Sequence, residues 1–136
     1  MRVLSFFVVL LLFAGCCKVY CDGSDLLVSF EKLKARDTDT VVFVNYLPAT
    51  GLTRVVDTFR ILTVIPATDT TRSSVAHSIS SSYEWKVLLP SVNKQYVFEN
   101  FELSTRKCSC RGTKYKDISG FTLNGVRQEG SFIRVE

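Results

Sequence analysis

The chain has 136 residues, a formal charge of +4 and five cysteines. Its length fits one domain, and the mild basicity, one unit lower without Arg2, implies no nucleic-acid role by itself. A single histidine, His77, excludes a multi-histidine zinc site within one chain, and no glycine-rich phosphate loop of the Walker or dinucleotide type occurs.

Arg2, the apolar run 3–13 and the small-residue end Ala14-Gly15-Cys16 read as a signal peptide over residues 1–16, with a mature domain over 17–136. The run is shorter than the roughly 20 apolar residues a membrane-spanning helix needs, and no second run follows. The expected product is therefore secreted and extracellular, without a membrane span. Ala14 and Cys16 suit a cut before Cys17; Val19 and Cys21 would allow one before Asp22. A lipid-anchor reading of residues 13–16 is weaker, because Phe13 stands where leucine is usual. The first cut leaves Cys17, Cys21, Cys108 and Cys110, an even set suited to two bridges in an oxidising compartment.

The mature chain reads as β throughout. Residues 26–30 begin a strand that continues amphipathically through 31–34, and a polar turn at 36–39 leads to a second strand over 41–46. Pro48 and Gly51 break it. Residues 54–65 form the longest run, apolar on both parities, which is the pattern of a strand buried on both sides or wrapping a barrel. A Thr/Ser-rich surface loop over 67–74 follows, then a short strand at 75–79 and a serine loop at 80–82. Strands at 85–89 and 95–103 flank a turn at 90–93, and a short helix within 80–95 is compatible with the pattern. Asn124-Gly125 between two apolar segments predicts a type I′ hairpin, and 131–135 a closing strand. Short strands and turns in so small a domain predict an all-β fold, a closed barrel that removes exposed edges.

Enzyme chemistry finds little support. A Ser–His–Asp set with Asp57 or Asp69 is arithmetically possible, but no nucleophile-elbow sequence accompanies it, and a lone histidine in a serine-rich stretch is expected at the surface. The chain is read as no enzyme, without a cofactor or a metal of its own. Residues 106–116 are the most basic stretch. Arg106, Lys107, Arg111, Lys114 and Lys116 would make an edge able to hold an acidic polysaccharide or matrix partner, or would simply keep a strand edge soluble.

Cys108-Ser109-Cys110 followed by Gly112, Tyr115, Ile118 and Gly120 resembles the corresponding stretch of netrin-like modules, a superfamily that includes the tissue inhibitors of metalloproteinases. Residues 20–28, 59–64 and 124–133 are similar, in the same order, to the first strand, the long central strand and the closing hairpin of those inhibitors. The resemblance implies a small Greek-key barrel of the oligonucleotide/oligosaccharide-binding type with one or two short flanking helices. It also implies an N-terminus stapled by disulfides from Cys17 and Cys21 to Cys108 and Cys110. By the same resemblance, the α-amine and carbonyl of Cys17 would chelate the zinc of an extracellular metalloproteinase, and Lys18 would enter its specificity pocket. The chain departs from those inhibitors in carrying Cys17-x-x-x-Cys21 where they have Cys-x-Cys, and Gly130 at a cysteine position. The alternative expectation is a non-inhibitory matrix, shell or venom component that binds a partner through the basic edge.

Overall fold

A computed structural model of the chain describes residues 23–66, 70–107 and 114–136. Nine strands run through them: β1 (Asp25–Ser29), β2 (Thr40–Tyr46), β3 (Val55–Leu62), β4 (Ala76–Ser80), β5 (Glu84–Leu89), β6 (Lys94–Lys107), β7 (Lys114–Leu123), β8 (Val126–Glu129) and β9 (Phe132–Arg134). The helical content among the described residues is two 3-10 turns, Ala35–Thr38 and Pro90–Val92. No helix among them is long and apolar enough to cross a membrane.

The all-β class is as expected from the sequence. A six-stranded antiparallel sheet in the order β3-β2-β5-β6-β7-β8 curls into a half-barrel, and a second sheet, β4-β1-β9, shares its core. In the second sheet β1 runs antiparallel to β4 and parallel to β9. Alternation explains which side chains go inside, because successive residues of a strand point to opposite faces. Leu26 and Val28 of β1, Val41 and Phe43 of β2, and Trp85, Val87 and Leu89 of β5 are all buried at period two. Phe98 of β6, Phe121 of β7 and Ile79 of β4 close the same cluster. Its aromatic rings meet edge-on or offset, Phe30 against Phe43 at 6.5 Å and Phe98 against Phe121 at 6.0 Å, the arrangements favoured by ring quadrupoles.

The Asn124-Gly125 hairpin forms as predicted, with φ of 48° and 81° at its two central residues. Asn124 adds something the turn motif does not imply. Its N–H donates to the Val97 carbonyl (2.9 Å) and its Oδ1 accepts the Val97 N–H (2.8 Å), pinning the β7–β8 turn to β6.

Three local expectations are corrected. The first strand does not continue through 31–34: Leu33 N–H turns back onto the Phe30 carbonyl at 2.9 Å, and Leu33 joins the core. The loop expected at the surface over 67–74 buries Ser73, whose Oγ accepts the Val75 N–H at 3.1 Å and shares a 2.7 Å hydrogen bond with the buried Thr38 hydroxyl. The longest apolar run is a largely exposed strand. β3 is an edge with β2 as its one sheet neighbour, and Phe59 and Ile61 alone of its residues pack on the core. Leu62 is 72% exposed, and Val55 and Val56 also face solvent.

Candidate functional site

The basic stretch is built on the ends of β6 and β7, whose antiparallel register pairs Thr105 with Lys116, Arg106 with Tyr115, and Lys107 with Lys114. Residues opposite one another in such a ladder share a face, and residues two apart on one strand do also. Lys107, Lys114 and Lys116 therefore project from one side of the hairpin, and Arg106 from the other. The three lysines are exposed and make no ion pair among the described residues. Arg106 is engaged: its Nε forms an ion pair with Oδ2 of Asp117 at 3.1 Å, and the Asp117 side chain is only 12% exposed. What the sequence presents as one basic edge is thus a trio of free ammonium groups on one face and a partnered guanidinium on the other.

Nearby arginines are spent in the same way. Arg127 of β8 chelates the carboxylate of Glu102 in β6 through both terminal nitrogens. That hydrogen bonding holds the Glu102 carboxyl below its ordinary pKa and raises the Arg127 guanidinium. Arg134 pairs with Glu31 and lies 4.8 Å over the Phe132 ring. Among the described residues, the charge on this half of the sheet that is free to meet a partner is lysine charge.

Of the residues singled out from the sequence, Arg106, Lys107, Lys114 and Lys116 are brought together in this hairpin. Arg111 and the residues tied to the inhibitor expectation, Cys17, Lys18, Cys21, Cys108 and Cys110, lie outside the described residues. Comparison with protein-family models, with curated proteins and with solved structures finds no match to this chain. The function has to be argued from the site itself.

His77 is not the free surface residue expected of it. On β4 opposite Val28, it is half-buried with its ring 4.8 Å from that of Phe43 and 5.0 Å from that of Phe59. Burial lowers its pKa, which disfavours the imidazolium. Its ring packs β4 against β2 and β3.

One group carries no mark in the sequence. Glu84, the first residue of β5, is a buried carboxylate that lines a cleft between the turn after β2 and the middle of β6. In the sequence it alternates with Lys86 like any outward-facing polar residue, so nothing local marks it. The same cleft is lined by Pro48, Ala49, Asn100 and Phe101, and the Ala49 N–H donates to Glu84 Oε1.

Proposed function

We propose that this chain is an exported, non-catalytic binding module that holds a sulfated polysaccharide by the lysine face of its β6–β7 hairpin. The observation that carries the reading is the sorting of charge: Lys107, Lys114 and Lys116 share one exposed face with no carboxylate paired to them among the described residues, while Arg106 is held by Asp117. A polyanion laid along that face meets three cations at strand spacing. Each exposed pair is worth only about 0.2–1 kcal/mol, so affinity has to come from several contacts at once and has to fall with salt. The test is retention on immobilised heparin. Neutralising Lys107, Lys114 and Lys116 together to glutamine is expected to move elution to markedly lower salt, and unaltered elution refutes the reading.

A second reading, inhibition of an extracellular zinc metalloproteinase, is favoured by the Cys108-Ser109-Cys110 to Gly120 motif and its likeness to netrin-like modules. It places the zinc-binding amine on Cys17 with Lys18 behind it, which requires the secreted product to start at Cys17. N-terminal sequencing decides that requirement. A protease assay with and without an added N-terminal alanine decides the mechanism, since an extension that leaves inhibition intact removes amine chelation.

A further inference from the structure

The cleft beside Glu84 has a volume of about 210 Å³. That is below the roughly 300–1,000 Å³ of pockets for drug-sized ligands, and it suits a single side-chain-sized group. Glu84 is 8% exposed. Its Oε1 accepts the Ala49 N–H at 3.1 Å, whereas Oε2 is buried without a hydrogen-bond partner, as is Oγ of Ser81, another residue lining the cleft. A carboxylate oxygen withheld from water with no donor is strongly unfavourable, so the arrangement calls for a donor from outside.

The backbone around the cleft is shaped at a cost. Ala49 has φ of 58°, left-handed backbone that alanine gains nothing from, and this places its N–H on Glu84. Asn100, with φ of 53°, sits where the β6–β7 register breaks between Glu99 and Glu102, and the break sends Phe101 to the cleft wall. Strained residues and bulges of this kind concentrate where ligands are held. Tyr83 and Phe101 supply aromatic walls, each braced by a neighbouring ring, Trp85 at 6.3 Å and Phe121 at 5.9 Å.

We propose that this cleft binds the ammonium group of a lysine side chain or simple alkylamine, with Glu84 Oε2 and Ser81 Oγ accepting its hydrogens and the Tyr83 and Phe101 rings beside it. The donor set selects this class over its neighbours. An anion meets a negative wall. A divalent cation of the calcium type wants six or more oxygens and finds one carboxylate. A guanidinium is held best by both oxygens of a carboxylate, and at Oε1 it would have to compete with the Ala49 N–H. An ammonium needs one free carboxylate oxygen and gains from aromatic faces. The site is separate from the lysine hairpin and stands or falls without it.

The experiment is an NMR titration of the full mature chain with Nα-acetyl-lysine methylamide, read at the Ala49, Glu84 and Asn100 amides and the Trp85 indole. A saturable shift with a dissociation constant on the order of 1 mM is expected for one charged group in a small cleft. The arginine analogue and the Nε-acetylated lysine probe are expected to bind about tenfold more weakly, the worth of one charge-assisted hydrogen bond. Glu84→Gln should show the same loss. Tyr83→Leu, which keeps the carboxylate, should weaken the lysine probe by roughly threefold, the loss of one cation–aromatic contact. Equal shifts from all three probes, or none from any, overturn the proposal and leave a hydrated crevice. If Glu84→Gln does not fold, the probe comparison on the unaltered chain and the Tyr83→Leu variant decide the matter.

Discussion

Arg106→Gln and Lys114→Gln remove one positive charge each from the same hairpin, yet the first should act on stability and the second on binding. Lys114 faces Lys107 directly across the ladder. Cross-strand partners lie about 5 Å apart at Cβ, so in bulk water the two charges repel by at most about 0.8 kcal/mol, less as the side chains splay and salt screens them. Lys114→Gln should therefore leave stability unchanged or raise it slightly, while heparin retention falls. Arg106 is different, because its partner is mostly buried. Oδ1 of Asp117 already lacks a hydrogen-bond partner, and removing Arg106 strips Oδ2 as well. Leaving that acceptor unpaired costs about 1–3 kcal/mol. Urea unfolding followed by Trp85 fluorescence measures the loss, and heparin elution should barely move. Adding Asp117→Asn to Arg106→Gln should recover much of the stability, because the amide no longer demands a cation. If Arg106→Gln leaves the urea midpoint unchanged and lowers heparin retention as much as Lys114→Gln does, the assignment of the two faces is wrong.

At the exposed edge, Val56→Lys and Leu62→Lys should change stability by less than about 0.5 kcal/mol but reduce self-association, since a charge on an edge strand discourages edge-to-edge pairing; unchanged light scattering at high concentration would clear β3 of that role. The lowered pKa of His77 favours its neutral form in the folded state, so its contribution is complete above the ordinary histidine pKa of about 6.5 and is lost as pH falls through the lower folded value. The urea midpoint should fall between neutral pH and about pH 5, with a shallower fall in His77→Gln; identical slopes would dismiss the linkage. Phe98→Ala, at a fully buried position against Phe121, should cost about 3–5 kcal/mol, and a loss under 1 kcal/mol by calorimetry would mean that the cluster is not packed as described.

Period-two burial made β2, β5 and the start of β6 legible in the sequence, and the positive-φ preference of Asn124 and Gly125 made the last hairpin so. β3 was misjudged for a physical reason. Phe59 and Ile61 alternate with Arg60 and Leu62, and the pattern records how apolar each face is without recording whether a neighbour covers it. The strand lies at the end of the sheet, so one of its faces and one of its edges stay open. Glu84 fails in the opposite sense. Its neighbours in sequence give it an outward-facing position, and its hydrogen-bond donor comes from a turn 35 residues earlier whose Ala49 takes a conformation no alanine advertises.

The basic hairpin shows how far one backbone irregularity reaches. Phe98 and Phe101 are three residues apart and both pack on the core, which a regular strand forbids, because odd and even positions face opposite ways. The break around Asn100 exchanges the faces of β6, and a compensating shift in β7 lets Phe121 and Ile118 both turn inward while restoring the original pairing beyond Leu103. Past that point the core side of the ladder carries Leu103 with Ile118, then Thr105 with Lys116, then Lys107 with Lys114. Without the two bulges those lysines would stand on the outer face and Arg106 and Asp117 on the inner. The same left-handed Asn100 that shapes one wall of the Glu84 cleft thus decides which side of the hairpin offers free charge. Neither consequence can be read from the composition of residues 106–116, since both are set by register several residues away.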